Sequence, residues 1–174
     1  MSASPFELRL ATRANGRRDG ELVIVNTDHT RCRAVPRIAP TLQAALDDWP
    51  RAAAALADLQ ARGWGDAEAF DEARCLAPLP RAYQWADASV YRNHARLMYR
   101  WRNEPIPPRY EDEPLVYQGG SDVMLAPTAP IVARSADHGI DLEAEIDVVV
   151  ALVNCPEAKT SPPGADAVVT VLAP

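Results

Sequence analysis

The sequence lacks the features that mark membrane, secreted and nucleic-acid-binding proteins. No apolar run approaches the roughly 20 residues of a membrane-spanning helix. The first residues, MSASPFELRLATR, contain no apolar core of a signal peptide. Lysine is nearly absent, with Lys159 as its single instance, and the formal net charge is −6. Since phosphate binding requires clustered positive charge, we expect neither nucleic acid nor a membrane as a partner.

Cysteine is also scarce. Cys32, Cys75 and Cys155 are far apart in the sequence and form no CxxC pair. Three cysteines cannot all pair within one chain, so the simplest interpretation is a reduced protein. We therefore expect a cytoplasmic location.

The first part of the chain predicts a small N-terminal module over residues 1–76. FELRLATR alternates apolar and polar residues, and ELVIVN follows after two turn signals, NG and DG, which predicts a hairpin over residues 5–26. Apolar residues then recur at helical spacing from Leu42 to Leu59, with Thr41 as the expected N-cap. Pro50 should kink or split this helix, because it lacks the amide hydrogen that the helix needs.

The second part, over residues 77–150, is richer in proline and in candidate functional residues. Residues 87–101 fit a short helix, and NEPIPPRYEDEP predicts a surface loop without regular structure. YQGGSD is typical of a glycine turn between strands. GIDLEAEIDVVVALV is the clearest strand of the chain.

The acidic part of that strand is the first candidate site. In a strand, Asp141, Glu143, Glu145 and Asp147 project from one face, because successive side chains alternate. Four carboxylates on one face are costly to bury without a partner, and a hard divalent cation would remove that cost. A solvated strand face explains the same pattern, so the residues alone leave both interpretations open.

Asp87 and His94 form a second candidate pair in DASVYRNH. If both lie on one helix, their seven-residue separation puts them on the same face, about 10 Å apart along the axis. They would then flank a site without touching each other. A surface or core position explains a single histidine equally well.

Three separated motifs share a resemblance. YQWADASVYRNH, YQGGSD and GIDLEAEI, in this order and spacing, resemble the fumarylacetoacetate hydrolase family, and residues 18–49 resemble the N-terminal domain of its bacterial members. The resemblance covers roughly residues 7–150. It implies an α+β chain, with a small N-terminal α/β module followed by the first part of a mixed, mostly β fumarylacetoacetase-like catalytic fold.

The resemblance also implies an activity and a set of site residues. Members hydrolyse a carbon–carbon bond in β-diketo acids such as fumarylacetoacetate or acylpyruvates, at the end of tyrosine and aromatic catabolism, and they form homodimers. By this resemblance Asp87, Glu143 and Glu145 bind a divalent cation, with Mg²⁺ expected first and Ca²⁺ or Mn²⁺ as alternatives. His94 activates the attacking water, and Tyr117 lines the pocket of the keto-acid substrate.

Residues 151–174 do not resemble the family's continuation, which supplies a further aspartate ligand and the rest of the sheet. We therefore expect a divergent tail that arises from truncation or a shifted reading frame. Three hypotheses follow from the sequence. The chain is a family hydrolase, an inactive remnant that acts at most as a binding module, or an unrelated α+β domain whose acidic strand faces solvent.

Overall fold

A computed structural model describes residues 8–89, 91–113, 115–120, 124–140, 147–149 and 169–171. The chain divides into two compact units, one formed by Met1–Pro80 with Met124–Pro174 and the other by Arg81–Val123. The described strands and α-helices are β1 (Arg9–Arg13), β2 (Glu21–Val25), β3 (Arg31–Ala34), α1 (Leu42–Leu46), α2 (Trp49–Ala61), β4 (Glu68–Ala69), β5 (Ala86–Ser89), α3 (Arg92–Arg102), β6 (Leu115–Gln118), β7 (Asp147–Val149) and β8 (Val169–Val171). Antiparallel sheets combined with separate helices confirm the predicted α+β class.

The first unit begins with the predicted hairpin. β1 and β2 pair antiparallel from Arg9 opposite Val25 to Arg13 opposite Glu21. Gly20, in the connecting turn, has a φ of +56°, and a Cβ at this position would crowd the carbonyl oxygen of Arg13. Only glycine tolerates both conditions, so the DG dipeptide fixes the return of the chain into β2.

A four-stranded antiparallel sheet, in the order β1-β2-β3-β4, organises the core of this unit. β2 is one of its two inner strands and is buried on both faces. Leu22 and Ile24 join a core cluster with residues of α1 and α2, while Val23 and Val25 pack with Cys32 in a second cluster. The two clusters follow from the alternation of side chains along a strand.

The helical segment is split, as the proline predicts. Thr41 caps α1, and its Oγ1 accepts a hydrogen bond from the backbone nitrogen of Ala44 at 3.1 Å. α2 begins anew at Trp49 with Pro50 in its first turn, where no amide hydrogen bond is lost. The helix ends at Ala61, before Gly63, whose φ is +81°.

A segment after the short 3-10 helix Glu72–Arg74 runs along β1. The backbone nitrogen of Leu76 donates to the carbonyl of Thr12 at 2.8 Å. The buried hydroxyl of Thr12 in turn donates to the carbonyl of Pro78 at 2.6 Å. These bonds attach residues 76–78 to the N-terminal sheet.

The described part of the second unit holds a two-stranded ribbon and one α-helix. β5 pairs antiparallel with β6, and α3 follows β5 after a connection of two residues. The predicted helix over residues 87–101 is therefore wrong in its first third, because Asp87 lies in a strand. The pairing with β6, nearly thirty residues further on, overrides the local preference of this segment.

The proline-rich loop also differs from expectation. Pro108–Glu111 form a 3-10 helix, in which the backbone nitrogen of Tyr110 donates to the carbonyl of Pro107 at 3.0 Å. Tyr110 is 7% exposed and is therefore part of the interior of this unit.

The strand predicted in GIDLEAEIDVVVALV is confirmed at β7, which pairs antiparallel with β8. Asp141, Glu143 and Glu145 lie outside the described residues, whereas Asp147 begins β7. Over the described ranges, no helix has both the length and the apolar character needed to cross a bilayer.

Candidate active site

The β5–β6 ribbon brings two of the predicted site residues together. Asp87 on β5 is the direct cross-strand partner of Tyr117 on β6. Directly opposed residues of an antiparallel pair project from the same face, with Cβ atoms about 4.5–5.5 Å apart. Residues thirty positions apart in sequence are thus neighbours on one surface.

The carboxylate of Asp87 is half-buried and has no side-chain hydrogen bond or ion pair within the described part of the chain. A carboxylate in this position has lost part of its hydration without gaining a partner among the described residues. A cation would restore the lost interaction. The ligand role that the resemblance implies for Asp87 stays a prediction.

Tyr117 has the opposite environment. Its side chain is 66% exposed, and the neighbouring side chains of β6 are exposed as well. An exposed aromatic ring can pack on the carbon skeleton of a small-molecule ligand. The pocket role of Tyr117 stays a prediction.

His94 lies in the first turn of α3, which begins at Arg92 and packs against β5. Its side chain is half-buried. The sequence had suggested that Asp87 and His94 lie on one helix. The structure instead places Asp87 on β5 and His94 on α3. The two-turn spacing predicted for one continuous helix does not apply to them.

Tyr110 helps to hold α3 and β5 in place. Its hydroxyl donates to the carbonyl of Ser89 at 3.4 Å, and its ring meets the ring of Tyr99 edge-on with centroids 6.4 Å apart. Ser89 ends β5 and Tyr99 belongs to α3. Tyr110 therefore packs between the two elements that carry Asp87 and His94, a role that its proline-rich surroundings concealed.

The YQGG motif has a structural role that sequence reasoning missed. The backbone nitrogen of Gly119 and the Nε2 of Gln118 both donate to the carbonyl of Trp85, at 3.1 and 2.9 Å. A Cβ on Gly119 would overlap the indole ring of Trp85. The motif thus closes the ribbon on Trp85, two residues before Asp87, and helps to set the position of that carboxylate.

The full set of predicted metal ligands extends beyond the described residues. Among those that are described, no group of three or more His, Cys, Asp or Glu side chains could hold a metal ion. Glu143 and Glu145 lie outside the described ranges, so their convergence with Asp87 stays a prediction.

Two family models match the chain. Residues 8–81 match the model described as fumarylacetoacetase N-terminal domain 2, and residues 84–172 match the fumarylacetoacetate (FAA) hydrolase C-terminal model. The chain belongs to the fumarylacetoacetate hydrolase family. The second match contains the β5–β6 ribbon and α3, and it extends through most of the tail after residue 150. A comparison with curated proteins found no significant match.

Membership of the fumarylacetoacetate hydrolase family confirms the resemblance of the three motifs. It indicates an enzyme of hydrolase or isomerase type that acts on a small molecule. Members of the family commonly use a divalent metal ion. Of the three predicted ligands, Asp87 lies within the described residues, whereas Glu143 and Glu145 lie outside them.

Proposed function

We propose that the chain hydrolyses a carbon–carbon bond in a β-diketo acid of the fumarylacetoacetate or acylpyruvate type, in the catabolism of tyrosine and related aromatic compounds. The observation that carries the proposal is the placement of Asp87 opposite Tyr117 on one ribbon, with His94 on the helix packed against it. All three positions lie within the match to the family's catalytic region.

In this proposal Asp87, Glu143 and Glu145 hold one divalent cation. Carboxylate oxygens suit Mg²⁺ first, and Ca²⁺ or Mn²⁺ are the alternatives. When bound, the ion supplies a Lewis acid that stabilises negative charge on the oxygens of the diketo acid. Asp87 contributes a carboxylate that no described side chain neutralises, so its charge is available to the ion.

His94 acts as the general base. A neutral imidazole accepts a proton from water as the water oxygen attacks the keto carbon. The bond to the neighbouring carbon then breaks, its electron pair becomes an enolate, and a proton returned to that carbon completes the reaction. His94 is half-buried in the first turn of α3, which packs against the strand that carries Asp87.

Tyr117 packs against the carbon skeleton of the substrate. Its exposed ring stands on the face that also carries Asp87. This arrangement would orient the diketo group toward the cation that Asp87 would hold. By the family's precedent the enzyme would be a cytoplasmic homodimer, which sedimentation of the purified chain would test.

Turnover is the direct test of the proposal. The purified full chain with Mg²⁺ should cleave fumarylacetoacetate or an acylpyruvate. The decrease in the absorbance of the diketo group measures the rate. His94→Ala should lower kcat by about 10²–10⁴-fold, the contribution typical of a general base. Absence of turnover with Mg²⁺, Mn²⁺ and Ca²⁺ would favour the inactive remnant.

Metal binding separates the remaining hypotheses. Titration with Mg²⁺ should raise the melting temperature of the chain, and Asp87→Asn or the double variant Glu143→Gln/Glu145→Gln should abolish that increase. Asp112→Asn is the matched control, because Asp112 is an exposed carboxylate of the same unit. If the glutamate variant responds to Mg²⁺ like the unmodified chain, the acidic strand is a solvated face.

A further inference from the structure

The described part of the N-terminal domain contains a groove whose lining includes none of the residues of the proposed active site. Its volume is about 570 Å³, within the range of small-molecule sites. It is lined by residues of β3, of the following loop and of α2, namely Arg33, Ala34, Val35, Pro36, Arg37, Ile38, Ala55, Asp58, Leu59 and Arg62.

The inner wall of the groove is apolar. Ala55 and Leu59 lie one turn apart on α2, and Val35 and Ile38 face them from the loop after β3. Val35 is buried, and Ile38 and Leu59 are half-buried. This wall can remove the body of an apolar ligand from water.

The charge at the groove is positive, although the chain as a whole is acidic. Three arginines, Arg33, Arg37 and Arg62, line it together with one acidic residue, Asp58. Arg37 and Arg62 are exposed, and neither forms a hydrogen bond or ion pair through its side chain within the described part of the chain. Their guanidinium groups are therefore available to an anion.

Arg33 is held rigidly beside the apolar wall. Its guanidinium donates to the carbonyl of Gly63 at 3.1 Å, pairs with Asp66, and lies 5.7 Å from the ring centroid of Trp64. Its Nε is buried and has no hydrogen-bond partner among the described residues. A negative charge in the groove would offset this unsatisfied donor through electrostatic attraction.

We propose that this groove binds a small carboxylic acid with an apolar body. The arginines match a carboxylate, since their planar groups can donate two parallel hydrogen bonds to it. The wall formed by Val35, Ile38 and Leu59 matches the apolar body. Since Arg33 is paired with Asp66, Arg37 and Arg62 face one aspartate, Asp58, and this balance disfavours a cation. A neutral ligand would leave Arg37 and Arg62 without a charged partner. The inference does not depend on the proposed catalytic function.

Binding of 3-phenylpropionate to the full chain, measured by calorimetry and by ¹H–¹⁵N spectra, tests the proposal. The acid should bind and shift the amide signals of Val35, Ile38 and Leu59. The neutral amide 3-phenylpropanamide and the short acid acetate should each bind at least tenfold more weakly. Equal affinity for the acid and the amide would overturn the proposal.

Charge variants locate the site. Arg37→Gln and Arg62→Gln should each weaken binding by about tenfold, the value expected for loss of one charged hydrogen bond. Asp58→Asn should strengthen binding, because it removes the one opposing charge. Arg18→Gln is the matched control, because Arg18 is an exposed arginine outside the groove. A loss in Arg18→Gln equal to that in Arg62→Gln would show nonspecific attraction and contradict the proposal.

A last variant separates this groove from the proposed active site, which would also accept a carboxylate. His94→Ala should bind 3-phenylpropionate as the unmodified chain does. If His94→Ala loses binding while Arg37→Gln and Arg62→Gln retain it, the acid occupies the active site and the groove proposal fails. That outcome would leave the hydrolase proposal intact.

Discussion

Single residues decide how the ribbon beside the candidate site is built. Gly119 leaves room for the indole ring of Trp85 and donates its amide to the carbonyl of the same residue. The sequence showed two glycines in YQGG, and both are typical of a turn. The structure distinguishes them, because a Cβ on Gly120 would meet nothing within 4 Å.

Gly119→Ala should destabilise the second unit, because the new methyl group overlaps the indole ring of Trp85 and forces this partly exposed ring to move. We expect a loss of about 1–3 kcal/mol in the free energy of unfolding, the usual cost of overpacking. Denaturant unfolding followed by tryptophan fluorescence measures it. Gly120→Ala is the matched control and should change stability by less than about 0.5 kcal/mol. Similar losses in both variants would show that Trp85 is not the cause.

The two described cysteines should react slowly in the folded chain. Burial raises the pKa of the Cys32 and Cys75 thiols above the usual value. Since the thiolate is the nucleophile, both residues contain less of the reactive form at pH 8 than a solvated thiol. Their alkylation should therefore speed up as the pH rises further.

Mass spectrometry after iodoacetamide treatment checks the cysteine prediction in a Cys155→Ser background, which removes the third thiol. Cys32 and Cys75 should be modified slowly in buffer and rapidly in guanidinium chloride. Modification of either residue in buffer at its unfolded rate would contradict burial.

At the scale of elements, the start of α1 depends on a cap that the sequence indicates. Thr41 accepts a hydrogen bond from the amide of Ala44, which would otherwise lack a helical partner. Thr41→Ala should lower the free energy of unfolding by about 0.5–2 kcal/mol, whereas Thr41→Ser should be nearly neutral because it keeps the hydroxyl. Thermal unfolding followed by circular dichroism compares the two. An equal loss in the serine variant would assign the effect to the methyl group.

Local signals predicted the elements of the N-terminal domain well. The NG and DG turns predicted the hairpin, Thr41 was predicted as the N-cap of α1, and Pro50 predicted the break between α1 and α2. Each signal acts through the backbone of its own neighbourhood, so it can be interpreted without knowledge of the rest of the chain.

The elements around the candidate site could be predicted only in part, because distant residues define them. β5 forms by pairing with β6. Tyr110 is buried because it packs against Tyr99 and bonds to the carbonyl of Ser89. Helical periodicity after Asp87 continued into α3 and concealed the strand before it. The family motifs supplied Asp87, His94 and Tyr117 as candidates, whereas the structure supplied their placement on a ribbon and its adjoining helix.

At the scale of the whole molecule, the N-terminal domain builds its hydrophobic core from its own continuous stretch of sequence. Its buried cluster extends from Leu22 to Leu56, and the half-buried residues around it begin at Leu8 and end at Leu79. The family match for this domain covers residues 8–81. Domains of about this size can fold alone, with modest stability.

A fragment of residues 1–83 should therefore fold without the rest of the chain. We expect a cooperative thermal transition by circular dichroism, and ¹H–¹⁵N signals of Val23 and Ile24 at the positions seen in the full chain. A shorter fragment of residues 1–70 is the control, because it lacks the bonds from Leu76 and Pro78 to Thr12. That fragment should melt at a clearly lower temperature. If residues 1–83 show no cooperative transition, or if residues 1–70 are equally stable, the N-terminal domain is not an independent folding unit bounded by the segment along β1.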